Sequence, residues 1–319
     1  MEEMVAQLGN LHTKFYPPKN DELNPAGIGI LTISIPGENR ADVAMVIPNS
    51  AADKAGILPR DRILAVDGKE PPIDPKELLS LLRGKVGTKV VLTIQTPGNA
   101  LRQVEVTRGY ISQAFPVPYE DWITPKNNHV GYLFLGSFFY GSLNDQIANA
   151  ITKMTLERPL DGLILDVRLN PGGEESTLYN ALSFFTHGTI GYFVTRDEKS
   201  PIEIPNREVN GSGGIPLVIL ITSSTSSAGG IFAGLLHDIG RAYLIGETTD
   251  KNLDASLLHT FADGSKLTIA FAAIHPINHP EINWVGTGVA PDLVVKPDWG
   301  EFMSENDPVI RAALYYFDR

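Results

Sequence analysis

The chain contains no cysteine. Disulfide scaffolds, thiol nucleophiles and cysteine-ligated zinc are excluded, while the compartment is left open. It is also short of positive charge. Its 26 lysines and arginines stand against 37 aspartates and glutamates, a formal net charge of −11. A nucleic-acid partner is not expected, because a phosphate backbone needs a basic face. No apolar run reaches the length of a membrane-spanning helix, and the opening Met1-Glu2-Glu3 is acidic where a signal peptide begins basic. A Gly-x-Gly-x-x-Gly spacing, a Walker lysine and a His-Glu-x-x-His are all missing, as are internal repeats. His275 and His279 are four apart, but Pro276 and Pro280 argue against a shared helical metal site. No metal or nucleotide cofactor is expected.

What is present is ordinary for a globular protein. The 319 residues are 43% hydrophobic and 20% charged, enough for two domains and a substantial core. Residues 1–25 read as a short amphipathic opening, ending in a Pro17-Pro18 stretch, that belongs to the core or caps it; it resembles the tail of a longer element. From Ala26 short strands follow at Leu31–Ile35, Ala44–Ile47, Arg62–Val66 and Val90–Thr96. Turn signals separate them at Pro36-Gly37, Pro48-Asn49, Asp67-Gly68 and Pro97-Gly98. Two small helices are predicted, near Ala51–Ala55 and over Pro75–Leu82. This β-rich domain spans 26–109. A proline-marked linker, 110–129, leads to a second domain over 130–319. There, strands at Val130–Leu135 and Gly162–Val167 alternate with helices at Leu143–Met154 and Glu175–Phe185. The alternation continues to Ala242–Ile245, and a helix over Pro308–Phe317 closes the chain. It argues for a layered α/β fold.

The centre of that second domain is Pro216–Gly240. An apolar run, Leu217-Val218-Ile219-Leu220-Ile221, suits a strand buried on both faces. Ile231, Phe232, Leu235 and Leu236 lie at helical spacing, with Gly240 placed to end the helix. Between them sits a turn of small hydroxyl residues, Ser223 to Ser227. A serine at the start of such a helix is placed for attack on a carbonyl, because the free N–H groups and the helix dipole favour the oxyanion that forms. The same residues also serve as ordinary helix caps. Asn170-Pro171-Gly172-Gly173, at the end of another buried strand, offers further N–H groups that glycine lets a ligand approach closely; a plain turn explains it equally well.

Two resemblances bear on these readings. Gly27-Ile28-Gly29-Ile30, Ser50 to Ile57 and Asp61 to Gly68 resemble a PDZ domain. The resemblance implies that Gly27, Ile28, Gly29 and Ile30 hold the C-terminal carboxylate of a peptide added as a strand. The PDZ-like region, Asp166 to Gly173, the serine turn, His237 to Ala242, Gly246-Glu247-Thr248-Thr249 and Gly288 to Asp292 occur in one order. That order resembles the C-terminal processing (tail-specific) serine peptidases, whose core is shared with the tricorn protease. The resemblance implies a crotonase/ClpP-like layered α/β protease core. It places the nucleophile on Ser227 and the oxyanion donors on the N–H groups of Ala228 and a glycine of the 172–173 pair, Gly172 in preference. It leaves two general bases open. The family's lysine position falls on Asn252, with Lys251 one residue early and Ser256 where a glutamine is usual. His12, in a Leu11-His12-Thr13 context, matches the histidine of the tricorn branch, but Val285 stands near where that branch's glutamate is expected and Glu281 is off register. A base at Lys251 requires burial to lower its pKa; His12 requires a partner to fix its tautomer. The expected function is a serine endopeptidase acting on polypeptides with accessible C-termini, which the PDZ-like domain recruits and delivers. Export from the cytoplasm is implied by the resemblance alone. A peptide-binding homologue without catalysis, or an acyl-thioester enzyme, is the alternative.

Overall fold

A computed structural model describes residues 2–10, 12–17, 26–34, 40–111 and 116–319. Leu11, Pro18, Ile35 and the turn expected at Pro36-Gly37 lie outside these. The elements, in chain order, are α1 (Glu2–Ala6), β1 (Lys14–Tyr16), β2 (Ile30–Ser34), β3 (Ala41–Val46), α2 (Ala51–Lys54), β4 (Arg62–Val66), α3 (Pro75–Leu82), β5 (Lys89–Gln95) and β6 (Arg102–Thr107). They continue with β7 (Tyr119–Ile123), β8 (His129–Phe134), α4 (Leu143–Met154), β9 (Gly162–Asp166), α5 (Glu175–Leu182), β10 (Gly188–Val194) and β11 (Lys199–Ile204). The chain ends through β12 (Leu217–Ile221), α6 (Ala228–Asp238), β13 (Ala242–Gly246), β14 (Ala255–Thr260), β15 (Lys266–Pro276), β16 (Leu293–Val294) and α7 (Pro308–Phe317).

The chain divides into two units. The larger comprises residues 1–20, 117–296 and 308–319; the smaller comprises 21–116 and 297–307. The return of 297–307 to the smaller unit has a local cause: the Arg60 side chain there donates to the Gly300 carbonyl and pairs with Glu301.

In the larger unit a six-stranded sheet has the order β16-β13-β12-β9-β8-β7. All its pairs are parallel except β7 with β8. Parallel strands buried on both faces carry apolar residues at every position, which is why β9 and β12 read as unbroken runs. Alternation splits those residues between two layers. Leu163, Leu165, Leu217, Ile219, Ile221 and Leu244 join the core formed with α4, α5 and α6. The opposite face is covered by α7: Phe317 lies 2.5 Å from where a Cβ on Gly162 would stand, and Tyr316 stacks on Tyr243. Residues 119–123, within the stretch expected to be linker, form the antiparallel edge strand β7. A second sheet, β1-β15-β10-β11 with β14 beside β15, has no counterpart in the strand–helix alternation read from the sequence. It ties the N-terminus to the core, because β1 pairs with β15 through Lys14↔Thr268, Phe15↔Leu267 and Tyr16↔Lys266.

The smaller unit is a five-stranded antiparallel sheet, β2-β3-β4-β5-β6, with its own core around Val43, Ile63, Leu78, Leu92 and Ile94.

Candidate active site

The site forms where β9 and β12 run out of sheet. Past β9 the chain is anchored by a fully buried pair. Arg168 Nη2 lies 2.7 Å from Asp166 Oδ2, and Tyr132 donates its hydroxyl to the same oxygen. Past β12, two threonines stitch the turn to that anchor. Thr222 Oγ1 donates to the Arg168 carbonyl at 2.6 Å, and Thr225 Oγ1 donates to the Val167 carbonyl at 2.8 Å. Asn170 completes the junction. Its carbonyl accepts the Ser226 N–H, its side-chain amide donates to the Leu135 carbonyl, and its Oδ1 accepts the Gly172 N–H. Buried polar groups left without partners cost free energy, so this closed set of bonds specifies one geometry.

Ser227 is the residue before α6, with φ 48° and ψ −126°. A non-glycine residue there carries roughly 1–3 kcal/mol of strain, which the surrounding bonds maintain. Its N–H donates to the Asn252 carbonyl at 3.1 Å, and its carbonyl accepts the Ile231 N–H. The side chain is half-buried rather than packed in the interior. Gly172 lies directly against it. A Cβ added at Gly172 would stand 2.6 Å from Ser227 Cβ and 3.1 Å from both Ser227 Oγ and the Ala228 nitrogen. The space that glycine leaves open is therefore bordered by a hydroxyl and a helix-terminal N–H. Neither the Ala228 N–H nor the Gly173 N–H meets an acceptor among the described residues, whereas the Gly172 N–H is taken by Asn170 Oδ1. Gly172 thus supplies close approach. Substituting Gly172 by alanine is expected to lower kcat/KM by about 10²–10³-fold or more, since the added methyl crowds the Ser227 hydroxyl and the Ala228 N–H. Peptide hydrolysis by the purified variant, alongside its melting temperature, checks this.

The two candidate bases differ sharply. Lys251 is exposed, and no side-chain hydrogen bond or ion pair ties its ammonium to a described residue. The burial that a lysine base requires is missing. Asn252, at the lysine position of the resemblance, turns its amide to Asp250 and presents only its carbonyl to Ser227. His12 is partly buried, with Nδ1 2.6 Å from Asp254 Oδ1. The hydrogen bond with Asp254 holds its pKa above the ordinary value of 6.5; burial opposes this, and the charges of Asp254 and Asp250 add to it. Burial pushes the Asp254 carboxyl up, but hydrogen bonds from His12 and Asn10 outweigh it and hold it low. Asp254 and the bonding threonines had no signal in the sequence beyond being polar. Glu281, by contrast, is remote from Ser227. Its charge acts on His279, which pairs with Asp238 at the far end of α6, about 16 Å along an eleven-residue helix. His275 bonds the Pro280 carbonyl, so the two histidines have separate partners; His237 pairs with Asp292.

In the smaller unit the Gly27–Ile30 segment leads into β2 and is tied to its neighbours by backbone bonds. The Gly27 N–H donates to the Gly109 carbonyl, the Ile28 carbonyl accepts the Ala52 N–H, and the Gly29 carbonyl accepts the Ile47 N–H. Gly29 has φ +87°, and a Cβ there would meet Ser50 Cβ at 2.3 Å. Beside it lies a cavity of about 50 Å³ lined by Ile28, Ile47, Ser50, Tyr110 and Ile111 among others.

Comparison with known proteins draws on the same segments. The description of peptidase family S41 matches residues 129–295, more than half of the chain. The chain belongs to peptidase family S41. A PDZ domain matches within this S41 peptidase at residues 43–96. A carboxyl-terminal-processing protease of Picosynechococcus sp. is 32% identical over 333 residues, covering 98% of this chain and 77% of that protein. The structure of a photosystem II D1 C-terminal processing protease is similar with a TM-score of 0.61 at 23% identity, over 92% of this chain and 80% of that one. The tricorn protease is similar with a TM-score of 0.51 at 20% identity, over 99% of this chain and 31% of its own. At these identities the two structures speak for the fold: a layered α/β protease core carrying a PDZ domain. The S41 peptidase described here is a serine-type hydrolase of peptide bonds.

Proposed function

We propose that this S41 peptidase processes polypeptides at their C-terminal ends through an acyl-enzyme on Ser227. The observation that carries the reading is that the Ser227 hydroxyl and the Ala228 nitrogen each lie 3.1 Å from where a Cβ on Gly172 would stand, at the N-terminus of α6. Ser227 Oγ attacks the scissile carbonyl carbon while its proton passes to His12. The carbonyl oxygen takes the negative charge and is held by the Ala228 and Gly173 N–H groups. As the C–N bond breaks, His12 returns the proton to the leaving amine. Water, deprotonated by His12 in turn, attacks the ester carbonyl, and Ser227 Oγ leaves with the proton. A cavity of about 240 Å³, with Val194, Ala270, Ala272 and Val285 in its walls beside Asp254, offers room for a substrate side chain at the histidine pair.

The smaller unit supplies recognition of the tail. Its cavity is the size of one carboxylate and a methylene group, bordered by backbone and by the Ser50 hydroxyl. A fluorescent peptide with a free C-terminus is expected to bind about 10–100-fold more tightly than its C-terminal amide. A charge-assisted hydrogen bond is worth about 1.5–3 kcal/mol, and the amide forfeits it. Equal affinity in an anisotropy titration refutes carboxylate recognition.

The reading as a whole is tested with a fluorophosphonate probe and a tagged substrate protein. Mass spectrometry is expected to find the adduct on Ser227 and the substrate shortened from its C-terminus. Peptide binding with neither adduct nor shortening favours the non-catalytic reading; turnover of acyl thioesters that survives Ser227→Ala favours the other.

A further inference from the structure

The acid of the histidine pair sits on a segment that also bonds the backbone of Ser227. Ser227 donates its N–H to the Asn252 carbonyl, and Asp254 is only two residues further along the irregular stretch before β14. On the other side of Asn252, Asp250 donates its N–H to the Thr225 carbonyl, and its charge reaches His12. Consecutive Cα atoms are about 3.8 Å apart, so the segment 250–254 brackets Ser227 and His12 within a few residues' reach. β1, pairing with β15, brings His12 to this segment from the far end of the chain.

We infer that Asp254 is the positioning residue of the general base, holding His12 so that Nε2 rather than Nδ1 faces the reaction. The inference rests on the reading of His12 as that base. A carboxylate can only accept at 2.6 Å, so Nδ1 is the protonated nitrogen and the free lone pair belongs to Nε2. The Asp254 carbonyl, 3.1 Å from Nδ1, reinforces the same tautomer. Asp254 is itself held: Asn10 Nδ2 donates to its second oxygen at 2.6 Å, and its side chain is only 8% exposed. Asn10 Oδ1 meanwhile accepts the N–H groups of His12 and Thr13, so one amide fixes both the backbone of the base and its acid. The arrangement repeats the logic of a base oriented by a third group, with the acid supplied from the stretch just before β14 rather than from the region of Val285.

The charges acting on His12 are those of Asp254 and Asp250, both negative, and both raise its pKa. Proton abstraction needs neutral imidazole, so kcat/KM rises with pH through a value above 6.5. The stabilisation that protonated His12 draws from Asp254 runs the other way: it is complete below 6.5 and is lost as pH rises through the folded value.

The test measures kcat/KM of the full chain on a quenched peptide from pH 5 to 9, with melting temperatures as the fold control. Asp254→Asn is expected to lower kcat/KM at neutral pH by about 10²–10⁴-fold and to move the acid limb to lower pH; Asp254→Glu recovers part of both. Asn10→Ala removes the amide that holds the second oxygen of Asp254 and is expected to lower kcat/KM by about 10–100-fold; it also serves should Asp254→Asn not fold. An inactive His12→Ala together with Asp254→Asn at the wild-type rate and limb, or Asn10→Ala at the wild-type rate, overturns the role of Asp254 and leaves His12 as base. Full activity in His12→Ala overturns the reading of the base, and the inference with it.

Discussion

Replacing Ser227 by alanine leaves a folded protein whose kcat falls by about 10⁶-fold, to the residual that binding and the oxyanion donors provide. The expectation follows from what the side chain does at its position. It packs against Gly172 on one side and stands at the head of α6 on the other. Its backbone bonds, to Asn252 and Ile231, are made by main-chain atoms and survive the substitution. Single-turnover assays with the fluorophosphonate probe read the loss directly, and retention of labelling in the variant refutes the assignment. Ser227→Gly separates strain from chemistry. Glycine accepts φ 48° freely, so this variant is expected to be equally inactive yet no less stable than alanine in urea unfolding, despite glycine's larger entropy loss. A much less stable glycine variant argues against stored strain at the elbow.

His12→Ala is expected to be almost as severe, with kcat lower by about 10⁴–10⁶-fold, while Lys251→Ala stays within about threefold of the wild type. The contrast is physical. Lys251 is exposed and lacks the burial that a lysine base requires. His12 is partly buried and hydrogen-bonded through Nδ1 to Asp254, which orients its ring. Parallel kcat/KM measurements on the two variants decide between them. A large loss in Lys251→Ala with little in His12→Ala reverses the assignment.

Much of the fold was visible in the chain because burial on two faces writes an unbroken apolar run. The strands β9, β12 and β13 were legible to within a residue or two for that reason, and the helices α4 and α7 because one face of each is buried. The second sheet was not. β14 shows mostly exposed residues, β10 mixes half-buried with buried ones, and β15 mixes all three, so neither alternation nor a run announces them. β7 is an edge strand with exposed side chains, and it reads as linker for the same reason. At the site, Ser227, Gly172-Gly173 and His12 could be singled out by type and context. The distribution of N–H groups could not: that Asn170 Oδ1 accepts the Gly172 N–H depends on the folded turn.

The amino-acid order alone determined that a hydroxyl turn would follow a buried strand and open a helix, and that a glycine pair would end the strand beside it. These are local consequences of run length, turn chemistry and missing Cβ atoms. Only the tertiary structure brought His12 and Asp254 together. His12 and Asp254 are 242 residues apart, and they meet because β1 and β14 flank the same strand, β15. Pairing at that separation leaves no periodicity in the sequence, because the contact energy depends on a register that exists only after the sheet has formed.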